Sequence, residues 1–206
     1  MSSVLPVYRR SNIVIARGEG VYLFSPEGER YLDFASGIAV NALGHCHPHV
    51  VSALKTQADM LWHCSNMYRT EGLERFADRM VAGSFADKIF FCNSGSEAVE
   101  CGLKMIRKYH DATGHPNRYR IITMTGGFHG RTLACISAGG NDIARKGYAP
   151  LLDGFDRVAF NDLAAVQNAI GPETAGILIE PVQGEGGVHV ATDQFLQGVR
   201  QLADKH

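Results

Sequence analysis

The sequence has no long apolar run and no excess of charge of one sign. Its apolar stretches are far shorter than the roughly 20 residues that a membrane-spanning helix needs. Its 20 basic residues face 21 acidic ones, and the formal net charge of -1 with no long basic segment argues against nucleic acid as the main partner. The first residues also lack a charged segment followed by an apolar one, so we expect no secretory signal and a cytoplasmic location.

Cysteine is scarce and scattered, with no Cys-x-x-Cys pair. The five cysteines are Cys46, Cys64, Cys92, Cys101 and Cys135. An odd, dispersed set is typical of reduced thiols in a cytosolic protein. His45, Cys46, His47 and His49 carry side chains that bind zinc, but they crowd around one Pro turn without a second cluster at zinc-site spacing. We therefore expect no metal site.

The composition itself, 45% hydrophobic and 20% charged, is that of an ordinary globular protein. Three short extended runs, at residues 14–17, 21–24 and 30–34, surround Gly and Pro turns and predict a small antiparallel meander. Two helices follow: one begins at Pro48, and an apolar stripe at helical spacing marks the other over residues 73–81.

From residue 89 the pattern changes to short apolar strands that alternate with helices. Such alternation predicts a largely parallel sheet with helices on both faces, in which ligands bind at the carboxyl ends of the strands. The predicted strands are residues 89–92, 120–124, 157–160 and 175–179. The predicted helices are residues 97–110, 163–170 and 194–205.

The first of these strands ends in Asn-Ser-Gly-Ser-Glu at residues 93–97, which we call the phosphate turn. Ser94 is a good N-cap, and Glu97 three residues later completes a capping box. The unpaired N–H groups at such a helix start bind anions, phosphate above all. An ordinary well-capped helix is the alternative interpretation of the turn taken alone.

Two further strand ends carry unusual chemistry. The aromatic loop, residues 125–132, offers Phe128 and Arg131, and the glutamate loop, residues 180–187, offers Glu180 and Glu185. An anion site beside an aromatic face suits a phosphorylated, flat, aromatic cofactor. The ordinary alternatives are a core aromatic for Phe128, a surface ion pair for Arg131, a strand end for Glu180 and a solvated charge for Glu185.

In this order, Asn-Ser-Gly-Ser-Glu-Ala, Phe-His-Gly-Arg-Thr and Glu-Pro-Val-Gln-Gly-Glu-Gly-Gly resemble the class-III aminotransferases, which use pyridoxal phosphate. Residues 36–48 and 61–63 are similar to the acetylornithine aminotransferase branch. The resemblance implies an α/β fold, the major domain of a fold type I pyridoxal-phosphate-dependent transferase, truncated and preceded by an antiparallel segment of the small domain. It implies residues 1–60 for that segment and its linking helix, and 61–206 for the large domain.

The resemblance assigns cofactor contacts residue by residue. Ser94, Gly95 and Ser96 match the family loop that holds the cofactor phosphate. Phe128 matches the aromatic residue that stacks on the pyridine ring. Glu180 matches a glutamate close to the cofactor and to its aspartate partner.

Substrate contacts are implied in the same way. Arg131 matches the arginine that pairs with the substrate carboxylate, a task suited to a planar bidentate donor. Glu185 matches the glutamate that, in related ω-aminotransferases, pairs with a distant arginine and switches between the two half-reactions. Gly37 and Ile38 leave space where ornithine aminotransferases carry a tyrosine, which favours an N-acylated substrate.

The family lysine that forms the Schiff base and the family aspartate on the pyridine nitrogen match nothing here, so no catalytic residue is assigned. The resemblance implies transfer of an amino group from N2-acetylornithine to 2-oxoglutarate, in arginine biosynthesis, by a homodimer whose partners are amino-acid and 2-oxo-acid substrates. We expect these 206 residues alone to be inactive.

The alternatives are an ω-aminotransferase for ornithine, succinylornithine or 4-aminobutyrate, or a non-catalytic fragment. A dinucleotide-binding fold fits poorly, because no Gly-x-Gly-x-x-Gly follows the first strand.

Overall fold

In the computed structural model, which describes residues 3–206, the chain divides into two units, Met1–Asp78 and Arg79–His206. The first unit begins with the predicted meander, a three-stranded antiparallel sheet in the order β1-β2-β3. Its strands are β1 (Arg17–Glu19), β2 (Tyr22–Phe24) and β3 (Arg30–Leu32), each shorter than predicted. The predicted division of the family domains at residue 60 stays a prediction.

Two helices follow the meander. α1 spans Pro48–Ala58, with Pro at its first position as predicted, and α2 spans Glu71–Ala82. Neither helix has a buried residue. Their apolar spacing therefore predicted helix formation correctly without predicting burial.

Asp33 holds the segment after β3 through both carboxylate oxygens. Oδ1 accepts the N–H groups of Ala35 and Ser36 at 3.0 and 2.9 Å, and Oδ2 is hydrogen-bonded to His45 Nε2 at 2.7 Å. The backbone of His45 is also bonded to Gly20 in both directions. His45 thus connects the loop to the meander. Within residues 3–206, no group of three or more His, Cys, Asp or Glu side chains is placed to hold a metal ion.

The second unit is built on a parallel sheet in the order β5-β4-β6. Its strands are β4 (Arg120–Met124), β5 (Phe155–Val158) and β6 (Thr174–Ile177), and a small antiparallel hairpin joins β7 (Val182–Gln183) to β8 (His189–Val190). Its helices are α3 (Gly95–Ala112), α4 (Leu133–Ala138), α5 (Asp142–Arg145), α6 (Leu163–Ala169) and α7 (Asp193–Lys205). The predicted α/β class with an N-terminal antiparallel sheet is confirmed.

One core cluster of this unit lies on the face of β4 that carries Ile122 and Met124. Ile122 and Met124 point to the same side of the strand and pack against Val166 of α6 and Phe195 of α7. Each such side chain contributes about 1.5–3 kcal/mol of hydrophobic stabilisation when fully buried. This packing fixes the strand ends that carry the aromatic and glutamate loops.

The predicted strand at residues 89–92 was wrong. None of the three sheets formed by the described residues includes this segment. An apolar run becomes a strand only where a neighbour pairs with its N–H and C=O groups. The third strand also lies two residues earlier than predicted, since Phe155 pairs in register with Ile121. The short helices α4 and α5 were not predicted.

None of the helices within residues 3–206 is both long enough and apolar enough to cross a lipid bilayer.

Candidate cofactor and substrate site

The phosphate turn opens α3 in the predicted way, with one difference. Ser94 has an extended backbone, and its Oγ accepts the N–H of Glu97 at 3.2 Å. Glu97 Oε2 accepts the N–H of Asn93 at 2.6 Å, one residue before the position that a standard capping box uses. Hydrogen bonds from Asn93 hold the pKa of Glu97 below its usual range. Among the described residues nothing accepts the N–H groups of Gly95 and Ser96, so both remain free for an anion.

The aromatic loop presses directly on this helix start. The N–H of Arg131 donates to Ser96 Oγ at 3.3 Å. Gly130 approaches so closely, at φ +122°, that a Cβ added to it would lie 2.3 Å from Ser96 Oγ. Only glycine accommodates both the contact and the backbone conformation. The structure therefore places Ser96, Phe128 and Arg131 side by side.

Phe128 presents its ring at the surface of this loop and is 40% exposed, so it is not a core aromatic. The guanidinium carbon of Arg131 lies 5.3 Å from the centre of that ring, within the range of a cation–π contact. No carboxylate in the described part of the chain forms an ion pair with Arg131. Its guanidinium is therefore available for a carboxylate ligand.

Glu180 joins the glutamate loop to the aromatic loop. Its Oε2 accepts the N–H of Phe128 at 2.8 Å. Burial raises the pKa of Glu180, and the hydrogen bond from Phe128 opposes that rise only in part. Glu180 thus fixes the backbone that carries the exposed ring.

Glu185 stands apart from this group. Its side chain is exposed, and within residues 3–206 it forms no hydrogen bond or ion pair. It lies between β7 and β8, where Gly187 and Val188 both adopt positive φ. The structure brings the other six predicted residues, in three segments, together, but it does not bring Glu185 into contact with them.

Three further polar residues, which were not among the predicted site residues, lie at this edge of the sheet. His129 is 6% exposed, burial lowers the pKa of its imidazole, and its Nε2 has no hydrogen-bond partner among the described residues. Gln183 donates through Nε2 to the carbonyl of Thr125 at 2.9 Å. Asn161 follows β5, one residue before Asp162, which caps α6. His129 and Gln183 were visible inside the motifs, but Asn161 carries no signal in sequence.

The site thus combines free N–H groups at a helix start, an exposed aromatic ring and an unpaired guanidinium. These groups fit an anion, a flat ring and a carboxylate, which are the parts of a phosphorylated aromatic cofactor and an acidic substrate. Residues 6–206 match the family described as aminotransferase class-III, and the chain belongs to that family. The resemblance stated from the motifs is confirmed.

Two of the similar curated proteins are acetylornithine aminotransferases. The acetylornithine aminotransferase of Agrobacterium fabrum is 54% identical over 199 residues, which are 97% of this chain and 50% of that protein. The acetylornithine aminotransferase of Mesorhizobium japonicum is 53% identical over 205 residues, covering all of this chain and 51% of that protein. The chain spans about half the length of the curated relatives it matches.

Solved structures agree with the fold. The ornithine aminotransferase from Toxoplasma gondii superposes with a TM-score of 0.92 at 28% identity, over 98% of this chain and 49% of that one. The N-acetylornithine aminotransferase from Stenotrophomonas maltophilia gives a TM-score of 0.80 at 37% identity, over 97% and 50%. An amine transaminase from an uncultivated Pseudomonas species, solved in a PLP-bound form, gives 0.87 at 29%, over 100% and 52%.

Proposed function

We propose that this chain forms the cofactor-binding part of a pyridoxal-phosphate aminotransferase that transfers an amino group from N2-acetylornithine to 2-oxoglutarate in arginine biosynthesis. One observation carries the proposal: Ser96, Phe128, Arg131 and Glu180, distant in sequence, meet at one edge of the parallel sheet. The acetylornithine branch is supported by relatives of that name at 53–54% identity.

Each residue has a task that its chemistry supports. The N–H groups of Gly95 and Ser96 bind the phosphate at the positive end of α3, and Ser94 keeps that end ordered. Phe128 covers one face of the ring, and Glu180 holds the Phe128 backbone in place. When bound, the cofactor supplies the electron sink for charge that develops beside the transferred amine.

The substrate is held by other groups. Arg131 binds its carboxylate in a bidentate contact, because the guanidinium has no carboxylate partner among the described residues. Glu185, exposed on the glutamate loop, distinguishes the substrates of the two half-reactions. We also propose a cytoplasmic homodimer, in which residues 1–60 belong to the small domain and 61–206 to the large one.

A second candidate is another ω-aminotransferase of the class, acting on ornithine, succinylornithine or 4-aminobutyrate. The superposition on an ornithine aminotransferase, with a TM-score of 0.92, favours it. A non-catalytic role for these 206 residues is the third. None of the six lysines in the sequence matches the family lysine, so we expect cofactor binding without a covalent linkage and no turnover by the chain alone.

The test begins with the 206-residue chain and pyridoxal phosphate. We expect binding that inorganic phosphate competes away, no adduct after borohydride reduction, and no product from N-acetylornithine. Ser96→Asp should abolish binding by placing a negative charge at the helix start, whereas Ser84→Asp, in an exposed turn, should leave it intact. A borohydride-trapped lysine adduct together with turnover would contradict the expectation for the chain alone, and absence of any binding would contradict the proposed function.

The substrate is tested on the holoenzyme that contains this chain. We expect a higher kcat/KM for N-acetylornithine than for ornithine, succinylornithine or 4-aminobutyrate. A preference for ornithine would support the second candidate instead.

A further inference from the structure

Two side-chain amides hold the chain on either side of residues 184–188, the segment that carries Glu185. At the first end, Gln183 is 2% exposed, and its Nε2 donates to the carbonyl of Thr125, just after β4. At the other end, Asn161, just after β5, donates through Nδ2 to the carbonyl of Val190 at 3.1 Å and accepts the N–H of Thr192 through Oδ1 at 2.9 Å. The loop is thus attached to both strand ends at the edge of the sheet.

Between these attachments, residues 184–188 form a turn in which the carbonyl of Gly184 accepts the N–H groups of Gly187 and Val188, and Gly186 lies against the carbonyl of Gly126. Glu185 contacts no polar partner within the described residues, and a cavity of about 600 Å³ adjoins the loop. Residues from both attachments and from the loop itself line this cavity, including Thr125, Asn161, Gln183 and Val188. The hydrogen bonds of this turn are internal to residues 184–188, and the adjoining space permits the turn to move while Gln183 and residues 190–192 stay in place.

The backbone conformation also supports movement of residues 184–188. Val188 adopts φ +59°, a left-handed conformation that is unfavourable for a β-branched residue. Strain of this kind persists only where surrounding contacts impose it, and it is released when the segment changes conformation. The contacts that impose it here are those of the hairpin, where Gln183 pairs with His189 and Val182 with Val190.

Asn161 is strained as well, at φ +63°. Asn tolerates this region better than most residues, but glycine would occupy it without cost. A glycine has no amide group to bond Val190 and Thr192. The two hydrogen bonds of its side chain therefore explain why asparagine, and not glycine, occupies this left-handed conformation.

We propose that Asn161 and Gln183 are positioning residues that fix the chain on both sides of residues 184–188, so that only this turn moves when Glu185 changes its contacts between the two half-reactions. The proposal rests on the proposed function for the role of Glu185, but the attachment itself is tested without catalysis. It assigns a task to two amides that touch neither the cofactor-binding turn nor Arg131.

Hydrogen exchange on the 206-residue chain tests the attachment. Asn161→Gly keeps the left-handed backbone and removes both side-chain hydrogen bonds, so exchange across residues 189–192 should rise about 5- to 150-fold, the range expected for the loss of two hydrogen bonds. Asn161→Asp retains the acceptor for Thr192 and loses the donor to Val190, so it should restore protection at Thr192 alone. Asn117→Gly, in an exposed turn before β4, is the matched control.

Gln183 is tested separately at the other end. Gln183→Glu conserves size but cannot donate to Thr125 when ionised, and exchange should rise over residues 182–186 while residues 189–192 stay protected. Unchanged exchange in both variants would overturn the proposal. Faster exchange spread over β4, β5 and β6 would overturn it too, because it would make these amides general structural residues.

In the holoenzyme that contains this chain, Asn161→Gly should lower kcat for the half-reactions by different factors, with KM for N-acetylornithine little changed. Asn161→Asp, which keeps the acceptor for Thr192, should recover part of the lost kcat. Equal losses in both half-reactions would contradict a role in positioning Glu185. Pyridoxal phosphate bound to the same samples should be measured as well. Failure of the unsubstituted protein to retain pyridoxal phosphate would count against the proposed function and not against the attachment by Asn161 and Gln183.

Discussion

Gly130 is the position where a single methyl group most directly tests how the site is assembled. An alanine there would place Cβ 2.3 Å from Ser96 Oγ and 3.0 Å from Cys135 Sγ. It would also hold an L-residue at φ +122°, a region that only glycine occupies readily. Gly130→Ala therefore combines a steric conflict with an unfavourable backbone conformation.

The magnitude follows from these two effects. A residue forced into a sparsely populated backbone region costs about 1–3 kcal/mol, and an overpacked contact costs about 1–3 kcal/mol more. We expect Gly130→Ala to lower the free energy of unfolding by about 2–6 kcal/mol, out of the ~5–15 kcal/mol typical of a folded protein. It should also weaken pyridoxal phosphate binding, because the aromatic loop must move away from α3.

Urea denaturation and cofactor titration measure both effects. Gly102→Ala is the matched control: it lies inside α3 with no atom within 4 Å of the added methyl group, and it should stabilise the chain by about 0.5–1 kcal/mol. Ser96→Gly removes Oγ and Cβ of Ser96, two of the three side-chain atoms closest to the new methyl group, and leaves Cys135 Sγ. A double-mutant cycle of the two should therefore show a favourable coupling of about 1–3 kcal/mol.

Two results would refute this reasoning. One is a Gly130→Ala variant as stable as the wild-type chain. The other is a double variant with no coupling, which would mean that the aromatic loop does not lie against the start of α3.

Three further changes have defined outcomes. Burial raises the pKa of Glu180, so its protonation contributes most to the free energy of unfolding below the ordinary carboxyl pKa. In urea titrations, Glu180→Gln should therefore gain stability relative to wild type as pH rises from about 4 to 8. A constant difference in the free energy of unfolding would contradict this. The hydrogen bond from His45 lowers the pKa of Asp33, so the Asp33 carboxylate stabilises the fold above the ordinary carboxyl pKa, and this stabilisation is lost as pH falls through the lower folded value. Asp33→Asn should therefore be less stable than wild type at neutral pH, and its stability should fall less in acid. Phe195→Ala should cost about 3–5 kcal/mol in the same assay because Phe195 is 2% exposed, whereas Phe85→Ala, fully exposed, should stay within about 0.5 kcal/mol of wild type.

Local rules predicted the helix starts well. Ser94 caps α3 as predicted, because its hydroxyl accepts an N–H three residues ahead, a relation visible in sequence. Thr192 caps α7 with the same geometry. Strand β4 was predicted with its observed bounds, since its apolar residues are central in the sheet and buried. These elements depend on neighbours in the chain or on burial of both faces.

Other elements depend on partners that sequence does not name. Residues 89–92 have the composition of a strand, but none of the observed ladders includes them. The short helix α4 follows the aromatic loop because Thr132 caps it and Cys135 is buried beneath it. The left-handed Asn161 is explained only by its two bonds to a segment 29 and 31 residues away.

Sequence alone determined the class of fold, the family and the chemistry of the residues at the strand ends, because motif order, helix caps and apolar periodicity are local. Only the tertiary structure decided which of those residues meet. The contacts of Glu180 with Phe128 and of Ser96 with Arg131 span 52 and 35 positions, and they form because the sheet order places those strand and helix ends together. The same structure left Glu185 outside the group and assigned its support to Asn161 and Gln183, since side-chain amides reach across a sheet edge to backbone that local pattern cannot identify.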